Sequence, residues 1–215
     1  MDHSIGKSAT KLLPSSERKG RCVCYACNSN WMSQLEDLNK TVLGSLMHDL
    51  SIPLDIAQQA GIAAWATKTA MTFQSVRSND MFYSRAEREQ LRANLTIPLR
   101  TVIWLGRYIP STIAAQGNDL WHDFEGVPRS VKGHVTTIVI GHLAIQILSV
   151  HVREEHNSMN VFVDSKHGPW DKFLLSIWPA DRVVMWPPAR SFSERDSIFN
   201  FDTLVGRWKV GPPAV

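Results

Sequence analysis

Cysteine is scarce in this sequence, and its distribution excludes a disulfide scaffold. Only three of the 215 residues are cysteines, and all three lie between Cys22 and Cys27. A secreted, disulfide-stabilised protein carries an even number of cysteines distributed along the chain. We therefore expect a protein of a reducing compartment, and the close spacing of the thiols indicates a candidate metal site.

Long apolar runs are also missing. The longest, Ile138–Leu148, contains His142 and Gln146 and is much shorter than the roughly 20 apolar residues of a transmembrane helix. The first residues, MDHSIGKSATKLL, hold no apolar stretch of the kind found in signal peptides. The catalytic motifs G-x-S-x-G and H-E-x-x-H are absent as well. These absences predict a cytoplasmic protein with no membrane partner.

The net charge of +3 is concentrated at the N-terminus. Residues 1–31 contain five basic and two acidic side chains, and the rest of the chain is neutral. Lysine and arginine displace the counterions of phosphates, so a basic arm before a neutral body is typical of nucleic-acid-binding proteins. A solvated tail has the same composition, and both interpretations stay open.

Helical patterns occupy the first half of the chain, at about residues 33–95. Ser33 and Glu36 have the spacing of a capping box and precede apolar residues that recur at helical intervals. Ser84 and Glu87 form a second capping-box pattern, which begins a short polar helix.

The segment between these two patterns predicts a long, central helix. Its apolar residues, from about Asp55 to Val76, occupy several faces, as in a helix that is buried on all sides. Lys68 lies in this segment, and we expect its amine to reach solvent or to meet a carboxylate.

Strand-forming residues dominate the second half, at about residues 99–190. Gly141 interrupts the longest of these runs and predicts a bulge or a tight bend. Helices followed by strands indicate an α+β fold, with a helical layer packed on a mostly antiparallel sheet. We assign residues 1–32 to a basic arm and knuckle module and residues 33–215 to the α+β body.

The segment Cys24-Tyr-Ala-Cys27 has the spacing of a zinc knuckle. A C-x-x-C turn directs two thiolates at adjacent corners of a tetrahedral zinc ion. Zinc needs two further ligands, for which Cys22 and His3 are the candidates. The alternative is that the cysteines pack without a metal.

The run from Cys24 to Glu36, C-x-x-C-N-x-x-W-M-S-x-L-E, resembles a bacterial and phage family of HNH-endonuclease-like proteins, at the second knuckle and the start of the helix that follows it. The resemblance covers roughly residues 22–190. Its other segments are Trp65–Ala70, Val102–Tyr108, Ile140–Leu148, Ile177–Pro179 and Trp186–Pro188. It implies a treble-clef-like knuckle before the body and hydrolysis of DNA phosphodiester bonds.

The resemblance also implies the role of individual residues. Asp2 and Asn28 correspond to ligands of a catalytic magnesium or manganese ion, and His3 corresponds to the general base that takes a proton from water. The family pattern places another C-x-x-C before the Asp-His pair, where this sequence has only Met1. We therefore expect the first half of the module to be missing or degenerate.

Two hypotheses follow. The first is a metal-dependent DNA endonuclease of HNH type, or a degenerate derivative. The second is a catalytically inactive protein that keeps the family body and binds nucleic acid or a protein partner.

Overall fold

Most helices precede most strands along the chain, and the predicted α+β fold is confirmed. The computed structural model describes residues 23–77, 81–124, 127–152, 160–163, 172–193 and 208–211. The helices are α1 (Tyr25–Cys27), a π-helical turn (Asn28–Met32), α2 (Ser33–Met47), α3 (Ile56–Arg77) and α4 (Arg85–Asn94). The strands are β1 (Ile52–Leu54), β2 (Thr101–Phe124), β3 (Val127–Val152), β4 (Asn160–Val163), β5 (Leu174–Trp178), β6 (Val184–Trp186), β7 (Ser191–Phe192) and β8 (Trp208–Gly211).

A long hairpin organises the main sheet. Strands β2 and β3 pair antiparallel from Thr101 opposite Ser149 to Phe124 opposite Val127. Strand β5 adds to β2 antiparallel, and β7 pairs with β2 in parallel. The pairs β1–β6 and β4–β8 form two separate antiparallel ribbons. The predicted sheet is thus mostly antiparallel, as expected.

Gly141 lies where the hairpin changes register, so the predicted bulge is confirmed. Arg107 is opposite Leu143, whereas Thr112 is opposite Gly141, which leaves the extra residues on β2. Gly141 has φ +64°, and a Cβ atom there would lie 2.6 Å from the backbone oxygen of Met47. Glycine is required for both reasons, and it lets the end of α2 approach the sheet closely.

The helices cover one face of the main sheet and form the principal core with it. Leu46 of α2, Ile62 of α3 and Leu91 of α4 are buried in the same cluster as Ile103 and Ile145 of the hairpin. Burial of such side chains is the main stabilising contribution to a fold of this size.

The opposite face of the sheet carries a second core. Trp104 and Leu148 lie there with Phe192 of β7. At Gly106 of β2 the chains come so close that an added Cβ would lie 2.9 Å from the Phe192 ring and 3.1 Å from Leu174. The Phe192 side chain of β7 therefore packs directly on β2.

Helix α3 is the central helix that the sequence predicts. Residues 62–68 are all buried, including Lys68, whose Nζ lies 2.6 Å from Glu36 Oε1 of α2. The expectation that Lys68 meets a carboxylate is therefore confirmed. None of the helices in the described part of the chain combines the length and the apolar character that a bilayer crossing requires.

The predicted capping box at Ser33 and Glu36 is wrong. The helical path begins at Tyr25 and continues, through an irregular turn at Asn30, to Met47. Ser33 therefore lies inside it, with φ −64° and ψ −42°. Cys24 is the N-cap instead. A Ser-x-x-Glu pattern caps a helix only where the chain before it is extended.

The other two helix starts agree with the sequence. Ser84 and Glu87 form a reciprocal capping box. At the start of α3, the Asp55 carboxylate accepts from the Gln58 backbone at 2.7 Å, and the Gln58 side chain accepts from the Asp55 backbone at 2.9 Å. Each pair satisfies amide groups that have no partner within the helix.

Two groups of polar side chains buried between the helices and the sheet make hydrogen bonds. The Tyr83 and Ser149 hydroxyls are 3.1 Å apart, and the Ser149 and Thr101 hydroxyls are 2.8 Å apart. Burial raises the pKa of Tyr83 well above its usual value, so the phenol stays protonated. On the same side of the hairpin, His134 Nδ1 lies 2.6 Å from Asp119 Oδ1. These contacts connect the segment before α4 to both strands.

Candidate functional site

The two thiols of the C-x-x-C segment lie together at the start of the helical path. Both cysteines are free, with Cys24 exposed and Cys27 half-buried. The Cys27 backbone N–H donates to Cys24 Sγ at 3.3 Å, and the Asn28 N–H donates to the Cys24 carbonyl at 3.0 Å. The extended Cys24, with φ −70° and ψ 153°, is followed by the first helical turn, which brings the two side chains to one side.

This geometry favours the ionised form of Cys24. Its hydrogen bond with the Cys27 side chain is the largest effect that holds the pKa of the Cys24 thiol below its usual value. The Cys27 backbone N–H and the charge of Arg92 act in the same direction. The thiolate is the form of cysteine that binds metals and attacks electrophiles.

Both cysteines line a cavity of about 250 Å³ between the start of the helical path, α3 and α4. We call it the knuckle cavity. Its apolar lining consists of Val23, Trp31, Met32, Met71 and Leu91. Its charged lining consists of Lys68, Arg85, Arg88, Glu89 and Arg92. The lining of the cavity therefore combines apolar side chains with charged ones that are mainly cationic.

Helix α4 supplies most of this positive charge. Arg85, Arg88 and Arg92 follow one another at intervals of three and four residues, which places them on one face of a helix. The charge of Arg85 is balanced, because its Nε lies 2.7 Å from Glu89 Oε1. Lys68 is likewise balanced by Glu36.

Arg88 and Arg92 are the two cations of the cavity whose charge is not compensated. Arg88 donates to the neutral backbone carbonyl of Tyr83. Within the described ranges, neither arginine forms a salt bridge with a carboxylate. An anion with several oxygens, such as a phosphate, would accept hydrogen bonds from both guanidinium groups.

The sheet determines where α4 lies. Glu87, in the first turn of α4, accepts from His151 of β3 at 2.7 Å, and the His151 ring stacks on Phe82 with centroids 4.1 Å apart. Burial alone would raise the pKa of Glu87, but the hydrogen bonds from His151 and Ser84 outweigh it and leave the pKa below its usual value. The carboxylate therefore stays charged and holds α4 against β3.

The predicted site residues fall into two groups. Asp2, His3 and Cys22 lie outside the described residues, so the structure places none of them. Cys24 and Cys27 lie next to each other on the first turn of the helical path, and the following residue, Asn28, is exposed.

The chemistry of the thiol pair fits zinc, since two thiolates one helical turn apart supply two corners of a tetrahedron. No group of three or more histidine, cysteine or acidic side chains that could hold a metal occurs in the part of the chain that the structure describes. Cys22 and His3 remain the predicted additional ligands. For a catalytic magnesium or manganese ion, Asn28 is the one predicted ligand that the structure places, and an exposed amide oxygen suits such a hard ion.

Nothing in the sequence alone singled out the arginines of α4, which the structure places in the lining of the cavity. The available signal was their spacing of three and four residues, which puts all three on one helical face. What the sequence did not reveal is that this face turns toward the thiols.

Comparison of the chain with protein-family models, with curated proteins and with solved structures gives no match. The functional assignment therefore depends on the chemistry of the knuckle cavity and on the resemblance of the knuckle sequence.

Proposed function

We propose that the protein is a metal-dependent nuclease of HNH type, or a derivative of one, that acts on DNA from the knuckle end of the molecule. One observation carries this proposal: the free Cys24–Cys27 pair opens on the same cavity as the uncompensated Arg88 and Arg92. A thiol pair with knuckle spacing supports zinc binding, and adjacent guanidinium groups support phosphate binding.

The arginines have the first role in this proposal, which is to hold the backbone of the nucleic acid. Arg92 is exposed and Arg88 is half-buried, so incoming phosphate oxygens can reach both. The hydrogen bond from Arg88 to the Tyr83 carbonyl fixes one end of its guanidinium group and leaves further N–H groups available.

The proposed hydrolysis uses the residues that the resemblance assigns. His3 takes a proton from the attacking water as general base. A magnesium or manganese ion, for which Asp2 and Asn28 are the predicted ligands, would stabilise negative charge on the phosphate and the leaving oxygen. The backbone hydrogen bond from Asn28 to Cys24 ties that residue to the turn that carries the thiols. Structural zinc would therefore fix the position of Asn28.

A second candidate is an inactive binding protein that keeps the same cavity and body. It is favoured by the composition of the described lining: Arg88, Arg92 and the apolar side chains all lie at position 23 or later, whereas Asp2 and His3 lie at the start of the chain. Binding needs only this part of the site, whereas hydrolysis also needs Asp2 and His3.

Plasmid nicking in the presence of Mg²⁺ or Mn²⁺ distinguishes the two candidates. If the first holds, His3→Ala reduces nicking by about 100-fold or more, as expected for loss of a general base. His48→Ala is the matched control, because His48 is an exposed histidine at the end of α2 and does not line the cavity. Nicking that is unchanged in His3→Ala would contradict the assignment of the base. Binding of DNA without any nicking by the wild-type protein would favour the second candidate.

Elemental analysis of the purified protein tests the structural metal separately. We expect about one zinc per chain in the wild type, as in other structural zinc sites, and none in Cys24→Ser. Ser29→Ala is the control, since Ser29 is exposed in the same turn and its hydroxyl donates to the Tyr25 carbonyl rather than to a cysteine. If the purified wild-type protein contains no zinc, the proposed structural zinc site at Cys24 and Cys27 is wrong.

A further inference from the structure

The lining of the knuckle cavity combines buried apolar side chains with two cations that have no carboxylate partner among the described residues. Its inner side is formed by buried Met32, Met71 and Leu91. Its outer side carries the uncompensated Arg88 and Arg92. An apolar recess with cations at its opening matches a ligand that has a flat, weakly polar ring attached to a phosphate.

We infer that the knuckle cavity receives one unpaired base of single-stranded DNA, while Arg88 and Arg92 hold the neighbouring phosphates. The inference rests on the proposed function and narrows its substrate class from DNA in general to DNA with unpaired bases. The size of the recess agrees, because about 250 Å³ is below the roughly 300–1,000 Å³ of pockets that enclose drug-sized ligands. One base fits that description better than a longer segment.

Trp31 supplies the aromatic group that such a site requires. Its ring is half-buried, lines the cavity and packs against the main core. Bases stack on aromatic rings with little dependence on sequence, because every base has a π-face.

Duplex DNA has no unpaired base that could enter the knuckle cavity. Its bases are paired and stacked, and moving one into a protein recess requires that it be extruded from the helix at a cost in free energy. A single strand avoids that cost. Free nucleotides share the same chemistry but lack the second phosphate, so they would engage only one of the two arginines.

Fluorescence anisotropy with labelled oligonucleotides tests the inference on the full-length protein. Three probes of about 12 nucleotides, within the range of known single-strand sites, are compared: oligothymidine, an abasic strand with the same phosphates, and a duplex. We expect oligothymidine to bind about 5- to 150-fold more tightly than the abasic strand, the range expected from stacking of one base at about 1–3 kcal/mol. We expect the duplex to bind more weakly than oligothymidine. Free thymidine monophosphate should compete only at a concentration about 100-fold higher.

The outcomes separate the inference from the function on which it rests. Equal affinity for oligothymidine and the abasic strand overturns the base site and leaves phosphate binding intact. Absence of binding to all three probes overturns the proposed function itself. Tighter binding of the duplex, or binding of the free nucleotide as strong as that of the strand, also overturns the inference.

A cavity-filling variant links the effect to this location. Ser75 lines the cavity and is half-buried in α3, where its hydroxyl donates to the Met71 carbonyl. Ser75→Leu should bring the ratio of oligothymidine to abasic affinity close to one without weakening abasic binding. Ser45→Leu is the matched control, because Ser45 is also half-buried, donates to the Thr41 carbonyl and lies away from the cavity. Thr72→Leu, also in the lining, replaces Ser75→Leu if that variant does not fold. A filled cavity that leaves the ratio unchanged contradicts the inference.

Discussion

Replacing the arginines of α4 by glutamine tests whether the charge at the knuckle cavity binds phosphate. Arg88 and Arg92 have no carboxylate partner within the described residues, whereas Arg85 lies 2.7 Å from Glu89. We therefore expect Arg88→Gln and Arg92→Gln each to remove one phosphate contact. Arg85→Gln should remove much less, because its charge is already balanced.

The salt dependence of DNA binding measures how many phosphate contacts each variant loses. Each phosphate contact to a single strand contributes about 0.7 to the slope of log affinity against log salt concentration. The Arg88→Gln/Arg92→Gln double variant should thus lower the slope by about 1.4. Over a fourfold change in salt, from about 50 to 200 mM, the wild type should lose about sevenfold more affinity than the double variant.

The assay is an anisotropy titration of single-stranded DNA at several salt concentrations. Arg182→Gln is the control, because Arg182 is an exposed arginine between β5 and β6, next to Asp181 and outside the cavity. Thermal melts check that each variant is folded. A double variant with the slope of the wild type would refute the reasoning. So would an Arg85→Gln variant that changes the slope as much as the double variant does.

Three further predictions concern the fold. Gly106→Ala should lower the free energy of unfolding by about 1–3 kcal/mol, because its Cβ would overlap a buried phenylalanine ring; urea denaturation measures this. Ser149→Ala should cost more than Tyr83→Phe in the same assay, since it leaves the Tyr83 and Thr101 hydroxyls both buried and unpaired, at about 1–3 kcal/mol each. Although burial acts to raise it, the pKa of Glu87 is held below its usual value in the folded protein by the hydrogen bonds from His151 and Ser84. The stability that this gives is present above the usual pKa of glutamate, about 4.3, and is lost as the pH falls further, so Glu87→Gln should lose that part of the pH dependence in a series of thermal melts. The first expectation fails if Gly106→Ala is as stable as the wild type, and the second fails if Ser149→Ala and Tyr83→Phe cost the same. The third fails if Glu87→Gln is as sensitive to acid as the wild type.

Local patterns accounted for much of the fold. The capping box at Ser84, the helix start near Asp55 and the glycine at position 141 each depend on a few neighbouring residues, and the structure confirms all three. The same holds for α3, whose apolar residues on several faces indicate burial without reference to any partner.

Predictions failed where a more distant residue decides the outcome. Ser33 has a suitable neighbour in Glu36, but Met32 and Ser33 already have helical φ and ψ, because the helical path begins earlier, at Tyr25. The strand β1 is only three residues long and exists because it pairs with β6, far along the chain. Short segments of this kind have little intrinsic preference, so tertiary pairing determines their structure.

The knuckle cavity is the main example of a feature that sequence spacing cannot reveal. Cys24 and Cys27 are separated from Arg88 and Arg92 by the whole of α2 and α3. Periodicity places the arginines on one face of α4, but it does not say what that face contacts. The contact depends on burial of Leu91 and on the hydrogen bond between Glu87 and His151.

Burial of Leu91 and the hydrogen bond between Glu87 and His151 hold α4 beside the thiols, so the α+β body contributes to any chemistry that occurs there. Helix α4 has ten residues, and helices this short are marginal in isolation. Its orientation must therefore come from the sheet, through His151 and through the burial of Leu91. The knuckle segment by itself holds the thiols and Trp31 but neither of the uncompensated arginines, so it cannot form the cavity. If DNA binds where we propose, the α+β body is the part of the molecule that places positive charge beside the knuckle.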